Sequence, residues 1–271
     1  MQAWINGQPA ECLALADRGL AYGDGLFETI KVKAGQAVLL ERHLARLQEG
    51  CQRLTIPCDM PLLRSELSAF MQQLGEGVCK LIVTRGAGQR GYAAPEPCYP
   101  QRILQASPLP QWPTANRQQG IQLFACQLRL SSQPALAGLK HLNRLEQVLA
   151  RAEWSDPAYA EGLLMDQQGR VMDGVFSNIF IVHNQQLITP ELTQCGVAGV
   201  MRAELLARAT AAGIAVQVRD ISLQQLLAAD ELFTCNSLYG IWPVRKYASQ
   251  HWPLGAVTRT LQDLIEDLME D

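Results

Sequence analysis

Apolar and polar positions repeat with two different periods along this 271-residue chain. Trp4-Ile5-Asn6-Gly7-Gln8 holds the Asn-Gly pair of a tight hairpin, and Phe27 to Val38 reads as two strands around the Ala34-Gly35-Gln36 turn. Leu40, Leu44, Leu47, Cys51 and Leu54 then recur at helical spacing, as do Leu63, Leu67, Phe70, Met71 and Leu74, which predicts two helices packed on that sheet. Strands follow at Cys79 to Arg85 and at Arg102 to Ala106. The segment Ser107-Pro108-Leu109-Pro110-Gln111-Trp112-Pro113 interrupts any regular element, because three prolines fix φ and remove backbone donors. A boundary is expected there, with a smaller domain over 1–106, a linker over 107–113 and a larger domain over 114–271.

Beyond the linker, the pattern predicts a strand over Gly120 to Leu130 and a helix over Leu142 to Trp154. Short strands follow over Leu163 to Thr189, broken at Gln168-Gly169 and Asn184-Gln185. A helix over Met201 to Ala212 stops at Gly213, and a strand over Ile214 to Val218 and a short helix over Leu223 to Ala229 come next. Leu232 to Cys235 is a strand and Leu261 to Leu268 a final amphipathic helix. The fold class expected is α+β in two parts, without internal repeats.

Hydrophobic residues make up 48% and charged residues 18%, so a folded globular protein is expected. The net charge of −3 and the lack of a basic block argue against a nucleic-acid partner. No stretch is long and apolar enough to span a membrane, so no membrane partner is expected. Eight scattered cysteines without a C-x-x-C pair, and a start without the regions of a signal peptide, suggest reduced thiols in the cytoplasm.

Gly86-Ala87-Gly88-Gln89-Arg90-Gly91 matches the dinucleotide pattern, yet Pro95, Pro97 and Pro100 forbid the helix a phosphate would need there. His43, His141, His183 and His251 lie far apart without ligand-type neighbours, so no metal site is expected. Nucleophile elbows, P-loops and H-E-x-x-H are absent as well.

Lys140 stands at an element boundary in Leu139-Lys140-His141-Leu142-Asn143-Arg144-Leu145-Glu146-Gln147-Val148-Leu149-Ala150-Arg151. This string resembles the lysine segment of the aminodeoxychorismate lyases, pyridoxal phosphate enzymes of the branched-chain and D-amino acid aminotransferase fold class (fold type IV). Asp17-Arg18-Gly19-Leu20-Ala21-Tyr22-Gly23-Asp24-Gly25-Leu26-Phe27-Glu28 resembles the family's first signature. Arg42-His43-Leu44-Ala45-Arg46-Leu47, Val83-Thr84-Arg85-Gly86, Ser177-Asn178, Gly199-Val200-Met201-Arg202 and Trp242-Pro243-Val244 follow in the family's order, over roughly Trp4 to Val244.

The resemblance implies a two-domain fold type IV enzyme with pyridoxal phosphate between its domains and a homodimeric assembly. Lys140 would form an imine with the cofactor aldehyde and then act as acid and base. Arg46 matches the phosphate arginine, the amides of Val200 and Met201 match the phosphate-binding helix start, and Ser237 matches a hydroxyl donor. Asp173 stands where the family usually has a glutamate facing the pyridine nitrogen; it keeps the charge on a side chain one methylene shorter. His43 is expected to be a packed helix residue.

On the substrate side, Arg90-Gly91-Tyr92 resembles the lyases and differs at Tyr92 from the R-x-H of D-amino acid aminotransferases. Phe27 replaces a tyrosine of those enzymes and would suit packing on a cyclohexadiene ring. Both point to a lyase that converts 4-amino-4-deoxychorismate to p-aminobenzoate and pyruvate in folate biosynthesis. An aminotransferase of the same fold is the alternative, and a cofactor-binding relative without catalysis is a third reading.

Overall fold

The structure is a computed structural model and describes residues 2–269. The chain forms two compact units, Met1–Pro110 with Leu139–Asn143, and Gln111–Gly138 with Arg144–Asp271. The division falls inside the proline-rich segment, but the five residues around Lys140 belong to the first unit although the second flanks them in sequence.

In the first unit the elements are β1 (Ala3–Ile5), β2 (Gln8–Pro9), α1 (Arg18–Tyr22), β3 (Gly25–Lys33), β4 (Gln36–Ala37), α2 (Leu40–Arg53), α3 (Met60–Leu74), β5 (Gly77–Thr84) and β6 (Gln101–Ser107). They build a six-stranded sheet in the order β2-β1-β6-β5-β3-β4. The period of two in β3 buries Leu26, Glu28, Ile30 and Val32 on one face. Helix α2 packs on that face through His43, Leu44, Leu47, Gly50 and Cys51, with Gly50 against Leu26. Helix α3 buries Leu63, Leu67, Phe70 and Met71, and Phe70 meets Trp4 edge-on at 5.3 Å. Each such side chain contributes about 1.5–3 kcal/mol through its burial.

The second unit contains α4 (Ala115–Gln118), β7 (Ile121–Leu130), α5 (Leu145–Arg151), β8 (Tyr159–Asp166), β9 (Arg170–Gly174), β10 (Asn178–His183), β11 (Gln186–Thr189) and α6 (Val200–Ala211). It continues with β12 (Val216–Val218), β13 (Ile221–Ser222), α7 (Leu223–Leu227), β14 (Glu231–Asn236), β15 (Gly240–Tyr247), β16 (Gln250–His251), α8 (Ala256–Leu264) and α9 (Glu266–Met269). The sheet runs β12-β11-β10-β14-β15-β7-β8-β9-β13, and β10 also pairs with β9. That extra pairing closes β10, β14, β15, β7, β8 and β9 into a six-strand ring, through the single pair Asn178–Asp173. Strand β8 is buried on both faces: Leu163 and Met165 join one apolar cluster and Leu164 another.

The helix expected over Leu142 to Trp154 is shorter, Leu145–Arg151. The residues before it extend along β3 instead: Phe27 donates its N–H to the Lys140 carbonyl (2.9 Å) and Leu142 donates to Gly25 (3.0 Å). Helical spacing of apolar residues thus lost to strand partners over three positions. Strand β15 lies where the pattern predicts no element. Its Trp242-Pro243 pair disguises it, since proline cannot donate to a ladder, and the pairing with β7 starts only at Val244. Among the described residues no helix is long and apolar enough to cross a membrane.

Candidate active site

In the first unit, the pairing of Lys140–Leu142 with the start of β3 delivers the Lys140 side chain to Phe27. Its Nζ lies 4.2 Å from the Phe27 ring centroid, within the range of a cation–π contact. Two of the expected site residues are thereby brought together. On the other face of β3, Glu28 is buried and binds two side chains of α2. His43 Nδ1 is 2.6 Å from one carboxylate oxygen; Arg46 donates Nε to the other at 2.8 Å and a second guanidinium nitrogen to the first. Burial opposes ionisation of Glu28, but Arg46 and His43 outweigh it and hold the carboxyl down at about 2. His43 is fully buried, and burial lowers its pKa, so its ring is neutral at pH 7. It is the packed helix residue expected from the sequence.

Arg90 and Tyr92 stand on the loop between β5 and β6. Tyr92 is 87% exposed and its ring packs at 5.4 Å on Tyr22 rather than on Phe27. The loop is fastened from below by Arg18, which is buried and donates to the carbonyls of Gly91 (2.9 Å), Tyr92 (3.0 Å) and Ala93 (3.2 Å). Arg18 Nε is in turn held by Asp24 at 2.8 Å, and the same carboxylate oxygen accepts from Arg85 Nε at 2.8 Å. Asp17 caps α1 by accepting from Gly19 and also takes the Thr84 hydroxyl. The polar residues of the first signature thus form the brace of this loop.

In the second unit, Asp173 is the last residue but one of β9 and is 6% exposed. One carboxylate oxygen accepts the Asn178 side-chain amide at 2.7 Å, the other the Val197 N–H at 2.8 Å. Asn178 also donates to the Val197 carbonyl at 2.7 Å, which locks the three residues together. Gly196 permits this approach, having φ +85° and room for a Cβ only 2.8 Å from the carboxylate. Gly138, two residues before Lys140, bridges to Val197 and exchanges backbone hydrogen bonds with Gly196 and Ala198.

Burial pushes the Asp173 carboxyl up to about 7 against the pull of these donors and of Arg202 and Arg144. Among the described residues no side chain forms a salt bridge with it. A protonated heterocyclic nitrogen would supply the cation such a buried carboxylate calls for.

The loop through Val197 leads into α6, whose N-cap is Gly199 and whose first turn holds the buried Val200 and Met201. No side chain caps this end, which leaves its amides suited to an anion such as a phosphate. Ser237 lies in the turn between β14 and β15, where Asn236 accepts from the amides of Leu238 and Tyr239. The first unit thus carries a lysine and an arginine, and the second carries uncapped helix amides and a buried carboxylate, groups of the kind a phosphorylated pyridine aldehyde calls for.

Glu161 belongs to the support of this carboxylate and was not singled out by sequence reasoning, whereas its partner Ser177 lay inside a quoted motif. Glu161 is fully buried on β8 and accepts from the Ser177 hydroxyl (2.6 Å) and the amides of Gly162, Val175 and Phe176, which fixes the turn from Asp173 to Asn178. Burial raises its carboxyl to about 7. Glu28 lay inside a quoted motif, and its position one residue after Phe27, hence on the opposite face, was the available signal.

The model of the class IV amino-transferase family matches residues 25–247, and the chain belongs to that family. Enzymes of this family depend on pyridoxal phosphate, and so does this chain. More particularly, the chain is 38% identical to the aminodeoxychorismate lyase of Vibrio harveyi over 96% of its own length and 97% of that protein's. The crystal structure of 4-amino-4-deoxychorismate lyase from Pseudomonas aeruginosa matches it with a TM-score of 0.97 and 60% identity, covering 98% of each chain. The Escherichia coli branched-chain amino acid aminotransferase, at 22% identity and a TM-score of 0.86 over 100% and 96% of the chains, shares the fold alone. The α+β fold type IV architecture expected from the motifs is the one observed.

Proposed function

We infer that the chain catalyses the elimination of pyruvate from 4-amino-4-deoxychorismate, leaving p-aminobenzoate, as a step of folate biosynthesis. The observation that carries this reading is the likeness to the Pseudomonas and Vibrio lyases across nearly the whole chain. The Lys140–Phe27 contact supports it, since it sets the reactive amine against an apolar ring suited to a cyclohexadiene.

Pyridoxal phosphate, when bound, supplies an aldehyde for amine exchange and a ring that takes up the electron pair left by proton removal. Lys140 would hold it through its amine, and that same amine would take the proton from the substrate carbon that bears nitrogen and return a proton to the departing enolpyruvyl group. Asp173 would keep the ring nitrogen protonated. Arg46, the amides of Val200 and Met201, and the Ser237 hydroxyl would hold the phosphate. Arg90 and Tyr92 receive the substrate's carboxylate side, and Phe27 packs on its ring. Aromatisation of the product supplies the driving force.

The active form in this reading is a homodimer working in the cytoplasm. Leu145, Val148 and Leu149 stand exposed at i, i+3 and i+4 on α5, and the first unit exposes Leu15, Leu20, Tyr92 and Tyr99. Apolar groups displayed this densely suit a partner surface. All eight cysteines are free, as suits a reducing compartment.

The test is to incubate the cofactor-loaded protein with enzymatically generated aminodeoxychorismate and quantify p-aminobenzoate and pyruvate, with D-alanine plus 2-oxoglutarate in parallel. Equal amounts of both lyase products are expected. Consumption of alanine alone would make it an aminotransferase, and no reaction in either arm a binding protein without catalysis.

A further inference from the structure

The connector between α2 and α3 doubles back on itself. Thr55 takes φ +53°, a left-handed conformation costly for a β-branched residue, and the Ile56 N–H donates to the Cys51 carbonyl at 2.8 Å. Arg85 fixes the bend by donating to the carbonyls of Leu54 (2.6 Å) and Thr55 (2.9 Å), and Asp59 then caps α3. The return sets Cys58 in the wall of the same cavity as Cys51, near enough for each thiol to shift the other's ionisation. Both line a cavity of about 600 Å³ within the first unit, walled on another side by Ala94, Pro95, Glu96 and Cys98.

The two sulfurs are not equivalent. Cys51 is 4% exposed, whereas Cys58 is half-buried. The neighbouring Cys51 thiol holds the Cys58 thiol below its ordinary range, with help from Arg102 and against burial, Asp59 and Glu66. The Cys58 neighbour, together with burial, pushes Cys51 up. One sulfur is thus poised as a nucleophile and its neighbour as the group that resolves an adduct. Cys98 donates its thiol proton to the Arg85 carbonyl at 3.3 Å, and Cys12 is exposed.

We propose that Cys51 and Cys58 form a reversible dithiol–disulfide site that reacts with small-molecule disulfides of the glutathione type entering this cavity. The Cys58 thiolate attacks one sulfur of the small disulfide, forming a mixed disulfide and expelling one thiolate. Cys51 then attacks the Cys58 sulfur, which breaks the mixed disulfide and expels the second thiolate. The two thiol protons of the protein pass to the two leaving thiolates. Two electrons leave the protein dithiol, and one small disulfide is reduced to two thiols. The site uses no residue assigned to cofactor or substrate and stands whether or not the lyase reading does.

The full-length protein is equilibrated in glutathione buffers of increasing oxidised fraction, quenched in acid, alkylated and mapped by peptide mass. A bridge between Cys51 and Cys58 that forms with oxidised glutathione and is lost with dithiothreitol is the expected result. Cys58→Ser should abolish it, and Cys51→Ser should leave a lasting glutathione adduct on Cys58. Cys79, which burial pushes up to about 12, should remain alkylatable after denaturation throughout. Modification confined to Cys12, or a bridge from Cys58 to Cys98 in place of Cys51, would overturn the proposal.

Discussion

Asn178 closes the strand ring of the second unit onto Asp173: among the described residues the two are the one pair joining β10 to β9, and the Asn178 amide donates to the carboxylate at 2.7 Å. The Val197 N–H holds the other oxygen, so the carboxylate is fixed at both ends. Asp173→Asn puts an amide among donors and removes the charge. Turnover with aminodeoxychorismate should fall about 10²- to 10³-fold, with a much smaller loss of cofactor affinity. A loss of cofactor affinity that matches the loss of turnover would refute the assignment at the ring nitrogen.

The same carboxyl makes the cofactor-free protein pH-sensitive. Its folded pKa, about 7, lies above the ordinary value near 4. An acid whose folded pKa is raised contributes stability below the lower value and loses it as pH rises through the higher one. Between about pH 4 and 7 the cofactor-free wild type should therefore lose stability relative to Asp173→Asn, whatever their difference in acid. Melting curves of both at half-unit pH steps check this, and parallel curves would show that Asp173 is not the titrating group.

Glu28 predicts the opposite direction. Arg46 and His43 hold its carboxyl near 2, well below the ordinary carboxyl range. Its stabilising effect is complete above about pH 4.5 and vanishes as pH falls towards 2. Glu28→Ala strips the half-buried Arg46 and the buried His43 of their partner and should cost about 3 kcal/mol at pH 7. The gap from wild type should close in acid, as denaturant titrations at pH 7 and pH 3 would show.

How far the sequence discloses this molecule depends on the kind of contact. Helices α2 and α3 were legible because each buries one stripe, Leu44, Leu47 and Cys51 in one and Leu63, Leu67 and Phe70 in the other. Residues Lys140–Leu142 were not, because their strand partners at Gly25–Phe27 lie more than a hundred residues away. Strand β15 was hidden by Pro243. The motifs marked Lys140 and Asp173, but not that Glu28 holds Arg46 or that Glu161 fixes the turn after Asp173; alternation places a residue on a face without naming its partner.

Arg18 is a positioning residue by its contacts, since its guanidinium reaches three successive carbonyls beneath Tyr92 and none of its atoms is needed for the chemistry. Arg18→Met keeps the apolar stem and removes the donors. The loop should loosen, so trypsin should cut the native protein after Arg90 faster than in wild type. KM should rise about tenfold or more, with kcat less affected. Unchanged proteolysis would show that the loop is held by other means.

Gly199 tests the phosphate end. Its φ of −67° and ψ of 143° are open to any residue, so alanine brings no backbone strain. A Cβ there would lie 1.9 Å from the Asn178 side-chain oxygen, however, and either Asn178 or the start of α6 must move. A displaced helix start would misdirect the Val200 and Met201 amides, and a hydrogen bond to a charged group contributes about 1.5–3 kcal/mol. Gly199→Ala should weaken pyridoxal phosphate binding about 10- to 100-fold. Binding of pyridoxal, which lacks the phosphate, should change far less. Equal losses for both ligands would place the damage at Asn178 and Asp173 and take the phosphate away from the α6 N-terminus.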